Sequence, residues 1–152
     1  MRGNSGGYLE AAVYVTSRWI GEDVITIEQD SKGEQENFYG QGKKSLDGIP
    51  TIVLINQGTA SGSEIVAGAL RDYGMAETVG MQTFGKGSVQ QMENLKDGSA
   101  VKITVAEWLT PNGTSFNENG LAPDYEVEMT GDDYNEDRDP QLDKALEILL
   151  TN

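Results

Sequence analysis

The segment GMQTFGKGSVQ, Gly80–Gln90, holds a lysine between two glycines. Its first seven residues follow the phosphate-loop pattern G-x-x-x-x-G-K, but Gly87 stands where the hydroxyl that holds Mg²⁺ belongs. The following SVQQMENLKDGS lacks the helical stripe needed to aim a helix N-terminus at an anion. A nucleotide is therefore not the expected ligand. Small neighbours instead let the Lys86 backbone approach another element closely. A lysine that loses its water can act as a general base. With no Cys and no His in the chain, Ser–Lys is the simplest covalent pair available. The plain alternative is a surface lysine in a glycine turn.

The serine with the best setting lies where TIVLIN turns through QGTA into SGSEI. Here a buried strand should pass directly into a helix near Ser61, with Gly58, Ala60 and Gly62 leaving room around it. On such a turn the N–H of Gly62 and the helix N-terminus can stabilise an oxyanion. Ser63 competes for the same role, and either serine could simply cap the helix. Glu64, three residues after Ser61, also suits a capping box.

The elements that must carry these residues follow from periodicity. Tyr8–Ile20 has a helical stripe ending at Gly21, and Asp23–Gln29 reads as a strand. QDSKGEQEN reads as a hairpin turn with Gly33 at its tip. Thr51–Gln57 is a continuous apolar run, as expected for a strand covered on both faces. A helix should run from near Ser61 to Gly74, followed by the short strand AETVG. Ser99–Pro111 alternates, with Val101, Ile103, Val105 and the stretch around Trp108 suited to burial on one face. Pro111–Gly113 is a turn signal, and Pro123–Met129 a short strand. Residues 131–139 read as an acidic loop. Residues 140–150 read as a closing helix, capped by Asp139, with Leu142, Ala145, Leu146 and Leu149 on one face. This order predicts a mixed α/β layer fold in a single domain over residues 1–152.

Charge and composition narrow the function. The chain carries 11 basic and 25 acidic residues, a net charge of −14. That disfavours nucleic acid, which is held mainly by Lys and Arg on phosphates. Without Cys or His the usual zinc sites are not available, and no metal or other cofactor is expected. No apolar run approaches the eighteen or so residues that span a membrane, and no signal peptide is present.

Taken together and in order, RGNSGG at 2–7, NQGTASGSEIVAGALRDYG at 56–74, GMQTFGKGSVQ at 80–90 and LTPNGTSFNENGLAPDYEV at 109–127 resemble the C-terminal processing peptidases, or tail-specific proteases. The closing DPQLDKALEIL is similar to that family's usual ending. The resemblance implies a crotonase-like layered β/α core. It also implies a Ser–Lys dyad with about 25 residues between its members. Ser61 lies 25 residues before Lys86 and Ser63 only 23, so the resemblance selects Ser61. It implies that Gln90, four residues after Lys86, orients the lysine. It places one oxyanion donor on the Gly62 N–H and a second in the RGNSGG turn, at Gly6 or Gly7. Asp72 matches an acidic position of the family and is either accessory or structural. Lys86 should be made neutral by burial.

The implied function is serine-type endopeptidase cleavage near the apolar C-terminal tails of polypeptides. The alternatives are a non-catalytic peptide- or ligand-binding module and an inactive truncated core. The family usually carries a PDZ domain ahead of the core, and its bacterial members usually work outside the cytoplasmic membrane. Neither that domain nor the strand before RGNSGG is in the sequence. The expectation is therefore a core cut from a longer chain, with an unpaired sheet edge open to homo-oligomer formation.

Overall fold

The computed structural model describes residues 1–151. The first apolar stripe forms α1 (Leu9–Ile20), with Tyr8 as its N-cap and Gly21 ending it. β1 (Val24–Asp30) and β2 (Gln35–Tyr39) make the expected hairpin, closed by the Gly33 N–H on the Asp30 carbonyl. β3 (Ile52–Ile55) leads into α2 (Gly62–Asp72), and β4 (Glu77–Gly80) lies parallel to β3. β5 (Ser88–Asn94) and β6 (Ala100–Leu109) form a long antiparallel hairpin. β7 (Tyr125–Glu126), the short α3 (Gly131–Asn135) and α4 (Pro140–Thr151) complete the order.

The strands form two sheets. One is antiparallel in the order β2-β1-β6-β5, and the other is parallel in the order β3-β4-β7. α2 sits at the centre, with every residue from Gly62 to Leu70 buried. Its Ile65, Val66 and Leu70 join Ala12, Val13 and Ile20 of α1, Ile25 of β1, and Val53 and Ile55 of β3 in one core. The result is the layered, crotonase-like β/α architecture that the sequence implied. Among the described residues no helix is long and apolar enough to cross a membrane.

Several local expectations change on folding. Val101, Ile103 and Val105 are exposed, not buried. β1 pairs with β6 only from Ala106 to Leu109, so the first half of β6 projects beyond the sheet with β5 alone beside it. Burial falls on Ala106 and Leu109 instead. β3 is an edge strand, with Val53 and Ile55 buried but Ile52 and Leu54 only half-buried. It is therefore not covered on both faces. The strand expected over 123–129 shrinks to two residues.

The segment expected as an acidic loop begins as a helix. The Thr130 hydroxyl accepts from the Asp133 N–H, while Asp133 accepts from the Thr130 N–H. That reciprocal cap holds a single turn together. The terminal helix forms as expected, with the Leu142 N–H on Asp139 Oδ1 at 3.0 Å. Its buried face is Gln141, Ala145 and Ile148, however, while Leu142 and Leu146 are exposed.

Gln141 can face inward because its polar atoms are satisfied. Its Nε2 donates to the Val127 carbonyl, and its Oε1 accepts from Arg2 Nη1. The same guanidinium grips Asp139 with both arms, at 2.8 and 2.6 Å. These hydrogen bonds from Arg2 hold Asp139 at about 2, below the ordinary 3.8. A carboxyl depressed on folding stabilises the protein above about pH 4, and that contribution fades as pH falls through about 2. Urea unfolding between pH 2 and 6 should therefore show a steeper acid loss for the parent chain than for Asp139→Asn. Equal slopes would refute this source of acid sensitivity.

Candidate active site

Ser61 occupies the sharp turn between β3 and α2, as the N-cap of the helix. Its φ of 55° and ψ of −123° are rare for a residue with a Cβ. Ser61 and Glu64 stand in a capping-box arrangement, but the Ser61 hydroxyl makes no capping hydrogen bond of ordinary length, and the Glu64 N–H donates to the Ser61 carbonyl at 2.8 Å. Ser61 is half-buried, and its hydroxyl has no hydrogen-bond partner among the described residues. Ser63 is 3% exposed, its N–H bonded to the Ala60 carbonyl. Of the two serines, only Ser61 projects from the turn.

The turn is packed from outside by the N-terminal segment. Gly6 has a φ of 89°, and a Cβ on it would lie 2.5 Å from the Ala60 carbonyl oxygen and 2.9 Å from Ser61 Cβ. Only glycine allows this approach. The Gly6 N–H donates to Asn4 Oδ1, at 2.9 Å. Among the described residues, the N–H groups of Gly7 and Gly62 have no hydrogen-bond acceptor. They line the same cleft, with Ala11, Ala12, Val15 and Val66 as its apolar wall. The cleft holds about 140 Å³, close to the space that a small aromatic ring fills.

One buried side chain joins Ser61 to the lysine turn. Glu64 is fully buried and accepts four hydrogen bonds. Its Oε2 takes the Ser61 N–H at 2.8 Å and the Lys86 N–H at 2.9 Å. Its Oε1 takes the Gly85 N–H at 2.8 Å and the Thr83 hydroxyl at 2.6 Å. All the acceptor positions of an ionised carboxylate are used. The Ser61 and Lys86 backbones therefore lie within two hydrogen-bond lengths of each other.

The glycines around Lys86 allow the close approach that the sequence suggested. A Cβ at Gly85 would lie 2.7 Å from the Glu118 carbonyl carbon, and one at Gly87 would lie 2.8 Å from the Asn117 nitrogen. The Glu118 N–H donates to the Gly85 carbonyl, and the Leu121 N–H to Thr83 Oγ1. The loop after Thr114 is thus the wall behind the lysine turn.

The lysine side chain itself departs from expectation. The Lys86 side chain is exposed, against the expectation of burial. The packing that fixes this turn acts on its backbone and leaves the amine outside. Among the described residues, no hydrogen bond joins Lys86 Nζ to Ser61 Oγ or to Gln90. Gln90 is exposed on β5, beside a register shift between Val89 and Gln90. Asp72 lies at the end of α2, where its Oδ2 accepts the Asn112 N–H at 2.9 Å. It ties the end of α2 to the turn at 111–113. No group of three or more acidic side chains suited to a metal ion forms among the described residues.

The sequence profile of peptidase family S41 matches residues 1–127. The chain belongs to peptidase family S41. A carboxyl-terminal-processing protease of Synechocystis sp. is 40% identical over 152 residues, covering 98% of this chain and 35% of that protein. The carboxy-terminal processing protease CtpA of Bacillus subtilis is 37% identical over 131 residues, covering 85% of this chain and 28% of that protein. Among solved structures, a photosystem II D1 C-terminal processing protease superposes with a TM-score of 0.77 at 39% identity, over 84% of this chain and 33% of its own. The chain spans between 24% and 36% of the length of the curated relatives it matches.

Within this S41 core, the part of the site that sequence reasoning missed is its support. Glu64 was legible as a capping residue, but its bonds to Thr83, Gly85 and Lys86 were not. Asn4 and the apolar cleft gave no local signal. Replacing Glu64 by Gln puts an amide donor or a weaker acceptor against N–H groups already in place. The loss should be about 2–5 kcal/mol of stability. Chemical denaturation of Glu64→Gln beside Glu64→Ala measures it, and a cost below 1 kcal/mol, on that same scale, would refute the role.

Proposed function

We propose that this S41 core is a serine-type endopeptidase site that cleaves polypeptides near apolar C-terminal tails. The observation that carries the reading is the Ser61 elbow, a half-exposed hydroxyl on a helix N-terminus beside two unbonded amides. Ser61 Oγ gives its proton to Lys86 Nζ as Oγ attacks the scissile carbonyl carbon. The N–H groups of Gly62 and Gly7 hold the resulting oxyanion. Gly7 is favoured over Gly6, whose N–H already serves Asn4. Lys86 then protonates the leaving amine, and an acyl-enzyme remains. Water gives a proton to Lys86 and attacks the ester, and the proton returns to Ser61 Oγ.

The exposed Lys86 amine fits this scheme if substrate completes the site. A peptide laid across the turn would strip water from Nζ and favour its neutral form. Gln90 would then orient the amine from the start of β5. The apolar cleft beside Gly7 and Gly62 suits an apolar side chain next to the scissile bond. Processing proteases among the relatives support a polypeptide substrate, and the chloroplastic peptidase of Tetradesmus obliquus supports work outside the cytoplasm. The free edge of β3 supports pairing with a second copy.

The same exposed amine favours one alternative, a core that is inactive by itself. The deciding assay is cleavage of an unfolded protein with an apolar C-terminus, between pH 7 and 10. Ser61→Ala and Lys86→Ala should each reduce kcat/KM by on the order of 10³-fold or more. Unchanged cleavage by either variant would eliminate the dyad. A second prediction concerns the cleft. Ala11 is exposed at its edge, so Ala11→Phe should fill it without disturbing the core. Selectivity for apolar over polar tails, measured as a kcat/KM ratio, should fall roughly 10-fold. An unaltered ratio would show that the cleft does not read the substrate.

A further inference from the structure

We propose that Arg2 is a positioning residue for the acyl-transfer site, held in place by the N-cap of the C-terminal helix. The inference rests on the reading of Ser61, Gly62 and Gly7 given above. Arg2 lies in a tight turn closed by the Asn4 N–H on the Met1 carbonyl, at 3.0 Å. Asn4 ends that turn and touches both sides of the oxyanion site. Its carbonyl accepts the N–H of Ala60, the residue before Ser61, at 3.1 Å. Its Oδ1 accepts the N–H of Gly6, the residue before Gly7. The placement of this one asparagine therefore sets the two amides relative to each other.

The turn is anchored on its far side by Arg2. The guanidinium makes a two-armed bond to Asp139 and a third bond to Gln141 Oε1 at 2.9 Å. This fork geometry fixes orientation as well as position. The anchors are themselves rigid. Asp139 also accepts the Leu142 N–H, and Gln141, 1% exposed, is tied to the Val127 carbonyl. A contact across 137 residues thus couples the start of α4 to the oxyanion turn. Three bonds tie the turn to its neighbours without Arg2, from the Gly3 N–H to Asn56 Oδ1, from the Thr59 hydroxyl to the Met1 carbonyl and from the Ala60 N–H to the Asn4 carbonyl. All three lie on the segment that follows β3. Loss of the fork should therefore let the turn pivot about them while the fold persists.

The test uses Arg2→Lys, which keeps the charge and loses the fork, and Asp139→Asn, which keeps a good helix cap. Each variant should lower kcat roughly 10- to 100-fold with KM within about twofold, as for a group that acts through transition-state placement. The double variant should be no worse than the more damaged single, because both break one interaction. Amide exchange followed by NMR gives a readout apart from activity, and Gly6 and Ala60 should exchange about 10-fold faster in either variant. Unchanged kcat with unchanged exchange at Gly6 and Ala60 would overturn the proposal and leave Arg2 as an anchor for α4 alone. If the parent chain cleaves nothing, the catalytic reading fails, while the exchange rates still decide whether Arg2 sets the turn.

Discussion

The site is organised around a carboxylate that meets no cation. Glu64 is removed from solvent, and its charge is balanced entirely by four hydrogen bonds, three from backbone amides and one from the Thr83 hydroxyl. A buried anion is tolerated only when its acceptors are filled in this way. The requirement is strict in geometry. The Ser61 turn, the lysine turn and Thr83 in the loop ahead of it must all arrive at one carboxyl group. A residue that reads locally as a helix cap thereby fixes two chemically important segments against each other.

The rest of the fold keeps those segments in place. α2 is buried along most of its length, so the helix start that bears Ser61 has little freedom to shift. β4 carries the chain to the lysine turn, and the glycines on either side of Lys86 let it lie against the 117–118 backbone. The N-terminal turn closes the site from the other face through Gly6 and Asn4. α4, distant in sequence, reaches the same turn through Arg2. The N-terminal turn and the start of α4 thus meet next to the Ser61 turn.

Rigid backbone and free side chains divide the work. The Ser61 hydroxyl and the Lys86 amine are both accessible, while the backbone atoms beneath them are hydrogen-bonded or tightly packed. In the proposed reading, such a site would present its two side chains to a substrate that supplies the final desolvation. The strained backbone at Ser61 belongs to the same arrangement. It sets Ser61 at the helix start with its hydroxyl in no capping hydrogen bond of ordinary length.

The sequence by itself determined most of the elements and the candidate site residues. Helical and alternating stripes gave α1, α2, β1, β4 and α4, because burial of one face imposes a period on each element. The glycine-flanked Lys86 and the serines of the strand-to-helix turn stood out for a chemical reason, and the resemblance to a known family chose Ser61 over Ser63. Only the tertiary structure decided what those elements meet. Val101, Ile103 and Val105 alternate like a buried strand, yet they are exposed because β1 ends its pairing at Ala106. Leu142 and Leu146 point outward on α4 because Gln141 finds partners inside. Burial of a face and satisfaction of a polar group both depend on partners far away in the chain. Local sequence carries no record of that distance. For the same reason Glu64 reads as a cap and Arg2 as a surface charge until the fold brings their partners to them.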